Sequence, residues 1–473
     1  MAFLVRVFAT ALLFASLSSA QATLPPGQTN DPFPEPIPAT EGAIRVNVAE
    51  FASLPDIEGV AARMMHAVNE PGSRRLFVND MRGPLYSVSY DGKTVAQYLN
   101  INAPNWGVAV QSMGRERGFQ TFAFHPQFTQ AGTPGYGKFY TYTDTSNMMP
   151  AADFLPNSGG MNTHDTVLLE WTAKTPTAAT YDGGPPRELF RLRQPFANHN
   201  GGHMAFNPNS TPGGADFGLL YVGVADGGSG GDPLNMAQNL GFAFGKVFRL
   251  NPLGNNSRNK KYGIPPGNPF VNTVGALPEI YAYGVRNPQR FFWDPKNGNM
   301  FLSDIGQDIV EEVSLVTSGA NLGWNVWEGS FRFISRQAVT TENRRGDPKV
   351  SFPVVEYGQL DPLLQPNSAA NGVIVYRGTQ IPQIANLVLF TDMPSGEIFY
   401  FSADKLPNGG QDFRRILLRY NGTDRTMLQL IQDRNKAQGK TLATRSDLRL
   451  AMGPDSQVLL LNKGDGTIRQ LVR

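Results

Sequence analysis

One pattern recurs along this chain: an apolar or alternating run, a Gly or Asp turn, then a second such run or a following strand. It appears in LFVNDMRGPLYSVSYDG (Leu76 to Gly92), in GKFYTYTDT with TVLLEWTA (Gly137 to Ala173) and in GLLYVGVADGG with GKVFRLNPLG (Gly218 to Gly254). It returns in GNMFLSDIGQDIVEEVSLV (Gly298 to Val316), NLVLFTDMPSGEIFYFSAD (Asn386 to Asp404) and QVLLLNKGDGTIRQLV (Gln457 to Val472). A strand-turn-strand unit cannot bury both of its faces alone, so such units stack against their own copies. Spread over the chain, these units leave about 70 residues each, enough for four short strands and long loops. The expected fold is all-β, a six-bladed β-propeller, with AIRVNV (Ala43 to Val48) completing the last blade and closing the ring. A pair of β-sandwiches with linking loops is the alternative.

The ends and the composition set the surroundings of that fold. The N-terminus, MAFLVRVFATALLFASLSSAQA, places Arg6 before an apolar run from Val7 to Ala15 and small residues at Ser18, Ala20 and Ala22. That order reads as a signal peptide over residues 1–22, so the mature protein is expected to be secreted or periplasmic. Residues 23–40 are Pro-rich without apolar periodicity, an extended lead-in, and the propeller is expected over residues 41–473. No stretch reaches the length of a membrane span. The sequence holds no cysteine, which excludes disulfides and thiol chemistry and leaves stability to the core. A net charge of +2 with both signs interspersed argues against nucleic acid as a partner.

Three regions carry groups with chemistry, the third running from Lys261 to Gly329 and holding both YAYGVRNPQR and DIGQDIVEE. FANHNGGHMAFNPN (Phe196 to Asn209) sets His199 in a Gly-rich loop ahead of a strand. The His199-x3-His203 spacing would suit a metal pair on a helix, yet Asn200-Gly201-Gly202 breaks any helix there. A histidine facing a cavity and a histidine satisfied by loop backbone both remain open. YVGVADGGSGGDP (Tyr221 to Pro233) runs a strand into glycines around Asp226 and Asp232, which can orient a histidine, bind a cation or serve a turn. In YAYGVRNPQR, Arg286 and Asn287 precede Pro288, a planar cation and an amide suited to a carboxylate or to clamping the loop. DIGQDIVEE gathers Gly306, Gln307, Asp308, Glu311 and Glu312, hard oxygen donors for calcium or a solvated acidic turn. Trp293, Trp324 and Trp327 are expected to pack between blades.

Taken in order, GRERGFQTFAFHPQF (Gly114 to Phe128), NHNGG, ADGGSGGDP, GKVFRLNP, YGIPPGNPF, YAYGVRNPQR, DIGQDIVEE and GANLGW resemble the glucose/sorbosone dehydrogenase family. These are soluble quinoprotein sugar dehydrogenases that use pyrroloquinoline quinone (PQQ), and their relatives include hedgehog-interacting-like proteins. The resemblance implies oxidation of a sugar or polyol hydroxyl, aldose to lactone, with hydride passing to PQQ held by calcium and electrons to an external acceptor. His199 is similar to the family's general base, a role that suits imidazole because its ordinary pKa lies near neutral pH. Asp226 resembles the carboxylate that fixes the base's tautomer. Arg286 and Asn287 match the cofactor contacts, the cation offsetting charge on the reduced quinone. Gly306 and Gln307 match carbonyls that hold the calcium, and Glu312 a ligand of a second, structural calcium. Glu116 matches a polar contact in the site, and Arg445 and Arg449 add cationic contacts from the last blade.

The sequence also departs from the family pattern. TDMPSGEIF places Pro394 near an expected lysine, Asn198 replaces an aspartate beside the base, and LLQPNSAANGVIVY lacks the residues that line a glucose site. Two other readings stand beside the enzyme: a non-catalytic propeller that presents its loops to a protein or glycan, and a calcium-dependent lactonase of the propeller type.

Overall fold

The structure is a computed structural model and describes residues 24–473 apart from Gln365, so the segment read as a signal peptide lies outside the described residues. Nearly every regular element is a short strand, and among the described residues the α-helix is Met427–Ala437. The first sheet holds Met64–Asn69, Arg75–Asp80, Pro84–Ser89 and Val95–Asn100, and the second Phe119–Phe124, Lys138–Thr145, His164–Thr172 and Arg187–Gln194. The third holds Met204–Phe206, Leu220–Val224, Lys246–Leu250 and Ile280–Tyr283, and the fourth Pro288–Trp293, Met300–Asp304, Val310–Val316 and Val355–Gly358.

The rest of the body is a small four-stranded sheet of Gln28–Thr29, Ala338–Thr340, Phe331–Ser335 and Trp327–Glu328, and a nine-stranded sheet in which the short Thr423–Arg425 pairs with Arg414–Tyr420. Ala370–Tyr376, Leu387–Asp392, Glu397–Ser402 and Arg414–Tyr420 form one side, and Arg449–Met452, Val458–Leu461 and Thr467–Val472 the other. Ile44–Ser53 joins them: Ile44 to Asn47 pair parallel with Ile416 to Arg419, and Asn47 to Ser53 pair antiparallel with Val472 to Thr467. The closing strand is thus longer than the expected Ala43 to Val48 and ties an early strand to the last one. Part of the Pro-rich lead-in lies on the body. Gln28–Thr29 pairs with Ala338–Thr340, and the Ile37 N–H donates to Asp361 over 2.6 Å.

Strands such as Phe119–Phe124 are buried along their whole length, which is why they read as continuous rather than alternating apolar runs. Apolar clusters fill the spaces between successive sheets, around Phe122 and Phe139, then Tyr142 and Phe190, then Phe291 and Leu302, then Phe301 and Phe390. Two more, around Ile374 and Leu460 and around Leu76 and Leu461, carry the packing through the closing strands back to the first sheet. The innermost strands, among them Met64–Asn69, Met204–Phe206 and Pro288–Trp293, line a central channel. The loops that enter them converge at one of its ends.

Candidate active site

That end of the channel is a polar cavity of about 520 Å³. Its wall includes His199, Glu116, Arg286, Asn287, Gly306, Gln307, Arg445 and Arg449, brought together from five separate loops. Asp226 sits behind His199, and Glu312 faces a smaller space next to the cavity.

His199 has a left-handed backbone, φ 54°, which costs about 1–2 kcal/mol for a residue with a side chain. Its N–H is held by Glu116 Oε2 at 2.7 Å. Its Nδ1 lies 2.7 Å from Asp226 Oδ1, and Nε2 has no partner among the described residues. Asp226 Oδ1 also accepts the Gly228 N–H (2.9 Å), and Oδ2 accepts the Trp324 indole N–H (2.8 Å). Burial alone would raise the Asp226 carboxyl, but the adjacent imidazole, its hydrogen bond and the Arg286 cation hold it below the usual carboxylate range. Gly228, at φ 99°, has no room for a side chain: a Cβ there would lie 2.4 Å from the Asn198 carbonyl oxygen. The glycines of ADGGSGG thus let two loops close on the pair.

The Arg286 and Asn287 N–H groups donate to the two oxygens of Asp304 at 2.7 and 2.6 Å. Burial raises the Asp304 carboxyl to about 6. The Arg286 guanidinium donates to Ile305 O (2.9 Å) and Gln307 Oε1 (3.3 Å) and lies 5.6 Å from the Trp324 ring centre. It bonds to no carboxylate among the described residues. Arg445 pairs with Asp447 at 2.6 Å. Arg449 donates to the Asp447 carbonyl (2.8 Å), its Nε has no partner, and burial lowers it to about 10. Met393 and Pro394 stand in the cavity wall near the position expected for lysine.

The segment from Gly306 to Val310 is organised by a residue the sequence reading missed. Glu328 Oε1 accepts the N–H groups of Gln307 (2.8 Å), Asp308 (3.0 Å), Ile309 (2.9 Å) and Val310 (3.0 Å), and Glu311 Oε2 takes that of Gly306 (3.1 Å). The carbonyls of Gly306 and Gln307 accept no hydrogen bond among the described residues, and both residues line the cavity. A Cβ at Gly306 would meet the Val310 carbonyl oxygen at 1.6 Å, so only glycine fits. Glu312, with Asp304 and Glu328, borders a space of about 10 Å³, room for one water-sized occupant. Burial, then the repulsion of Asp304, Glu356 and Glu328, pushes the Glu312 carboxyl well up. Among the described residues no group of three His, Asp or Glu side chains has the arrangement of a metal centre.

The structure decides between several of the readings left open. Asp232 orients no histidine; it accepts the N–H groups of Met236 (3.1 Å) and Ala237 (2.8 Å) and shapes a turn. His203 lies away from the polar cavity, its ring 4.7 Å from that of His66. Trp324 packs on Phe333, 5.1 Å between centroids, yet also braces Asp226.

Asp144, hidden in the strand Lys138–Thr145, supports the Glu116 loop by accepting from the Gly118 N–H (2.9 Å) and Gln120 Nε2 (2.7 Å). Burial raises its carboxyl to about 7 from an ordinary 3.8. The unfolded chain therefore releases this proton first, and this group's contribution to stability falls as pH rises from about 4 to about 7. His164, 3.7 Å away, is held down to about 4 by burial and stays neutral over most of that window. Asp144→Asn therefore gains stability relative to the unaltered protein as pH rises from about 4 to about 7, read from urea midpoints. A constant offset between the two would remove Asp144 as the source of the slope.

A family model described as Glucose / Sorbosone dehydrogenase matches residues 64–447. The HIPL1 protein of Arabidopsis thaliana is 29% identical over 353 residues, covering 68% of this chain and 50% of that protein. Aldose sugar dehydrogenase YliI of Escherichia coli is 32% identical over 140 residues, 29% of this chain and 32% of that protein. The PQQ-bound aldose sugar dehydrogenase of Streptomyces coelicolor shares the fold with a TM-score of 0.57 at 18% identity, covering 90% of this chain and 98% of that one. The chain spans about half the length of the HIPL relatives it matches. By the extent of the family match, this chain belongs to the glucose/sorbosone dehydrogenase family.

Proposed function

We propose that the chain is a six-bladed β-propeller, its nine-stranded sheet counting as two blades, and an exported PQQ-dependent oxidoreductase of a sugar or polyol hydroxyl, aldose to lactone in type. The observation that carries this reading is His199, braced by Asp226, with a free Nε2 on a polar cavity that also presents Arg286 and Arg449. The donors present fit the cofactor. Arg449 Nε lacks a partner and Arg286 meets only neutral oxygens, which suits a quinone bearing several carboxylates. The free Gly306 and Gln307 carbonyls suit calcium, and Glu312, on the small space beside them, is the residue assigned to a second, structural ion.

When bound, PQQ with its calcium supplies an acceptor for the substrate's hydride, from which electrons pass to an external acceptor. The protein's task is to hold the hydroxyl and take its proton. Asp226 accepts Nδ1–H, which leaves the lone pair of His199 on Nε2, on the cavity side. As imidazolium forms, the Asp226 carboxylate beside it is already fixed by Trp324 and Gly228 and needs no reorganisation. Glu116 holds the His199 backbone in place.

Titration of the purified protein with PQQ and calcium, followed by absorbance, is expected to saturate at micromolar quinone. A panel of sugars and polyols with an artificial electron acceptor then gives turnover, and calcium alone raises the melting temperature. No quinone binding overturns the reading. Met393 and Pro394, near the expected lysine position, favour a second reading in that case, a non-catalytic propeller that binds a protein or glycan.

A further inference from the structure

The central channel has a second cavity, of about 400 Å³, lined by the innermost strands. Neighbouring residues separate the two cavities: Met65 and Gln289 line the polar one, while His66 and Arg290 line the other. Its body is apolar, with Phe124, Phe206, Phe292, Trp293 and Ile374 in the wall. Both volume and lining fall within the range of small-molecule sites.

An unusual polar group lies among these apolar side chains. Arg290 is 3% exposed and donates only to backbone carbonyls, Gln289 O at 2.6 Å and Met65 O. Its Nε has no partner, and no carboxylate among the described residues pairs with it. The neighbouring charge is Arg449, of the same sign. His203, 4% exposed, and His66 meet edge to face, and Nδ1 of each is unpartnered. A cation taken out of water without a counter-charge is costly, as is a polar nitrogen without a partner. An anion reaching Arg290 from the cavity would satisfy the guanidinium, and the imidazole N–H groups offer further donors. The long apolar wall requires that anion to carry an apolar body.

We propose that this cavity is a second ligand site for an amphipathic monocarboxylate, its carboxylate on Arg290 and its alkyl or aryl body against the aromatic wall. The site is separate from the His199 cavity and does not depend on the activity proposed there.

The test uses the full chain and two probes, octanoate and 3-phenylpropanoate, titrated by calorimetry and by tryptophan fluorescence, to which Trp293 in the cavity wall contributes. Saturable binding of either probe is expected, and the one preferred identifies an alkyl or an aryl source. Arg290→Met is expected to weaken binding by about tenfold or more, the scale of one lost charge-assisted contact. His199→Ala should bind as the unaltered protein does. A comparison without any substitution guards against misfolding of the Arg290 variant: 1-octanol, the same body without the charge, should bind far more weakly than octanoate. Equal binding of octanol, displacement of octanoate by modest chloride, or no saturable binding of either probe overturns the proposal.

Discussion

His199→Ala lowers turnover of the quinone-loaded protein by about 10²–10⁴-fold, the range for loss of a positioned general base. The fold survives the change. Asp226 loses one hydrogen bond but keeps those from Trp324 and Gly228, a cost of about 1.5–3 kcal/mol against a typical net stability of about 5–15 kcal/mol. Quinone affinity stays close to normal, because the groups assigned to the cofactor come from other loops. Asp226→Asn separates position from charge: its amide can hold the ring, but the buried negative charge that stabilises imidazolium is gone, so turnover falls while quinone binding persists. The assay is dye-coupled oxidation of the best sugar or polyol, with quinone saturation checked by absorbance. Retention of full turnover by His199→Ala would remove the base role and leave the pair as a structural brace.

Much of this arrangement was legible before the structure, for a physical reason. Strands that stack in successive sheets are buried over most of their length, so LFVND and FYTYT announce themselves by apolar and β-branched content alone. Motif order then placed His199, Arg286, Asn287, Gly306 and Gln307 at one site, and these residues do line one cavity. What stayed hidden acts across long sequence separations. Glu328 binds four N–H groups about twenty residues upstream, yet in GANLGWNVWEG it reads as an ordinary loop acid. Asp144 sits among the threonines of KFYTYTDT with no local sign of its role, and both faces of that strand are covered. Trp324 was read as packing because an indole ring carries no local sign of where its N–H points. The two aspartates of ADGGSGGDP look alike in sequence, and only the fold separates Asp226, which meets His199, from Asp232, which meets its own turn.

The largest loss of stability is expected at Glu328. Glu328→Ala removes the acceptor of four N–H groups at once, three of them on buried residues, Gln307, Ile309 and Val310. A buried donor left without a partner costs about 1–3 kcal/mol, so the variant loses several kcal/mol, a large part of a typical domain's net stability. Removing the carboxylate also relieves repulsion with Glu312, since Glu328 is one of the groups that push its proton affinity up. Glu328→Gln isolates the two effects. It relieves the same repulsion and keeps an oxygen facing the four amides, so it should lie much nearer the unaltered protein than the alanine variant does. The alanine variant should also lose calcium and quinone affinity at temperatures where it is still folded. The same four bonds fix the backbone that carries the Gly306 and Gln307 carbonyls, so the proposed calcium donors depend on this carboxylate. Urea midpoints for the three proteins, with calcium and quinone titrations on each, decide the matter. Equal stability of the alanine variant and the unaltered protein would mean that water satisfies the four amides, and the role of Glu328 in organising the segment from Gly306 to Val310 would fall with it.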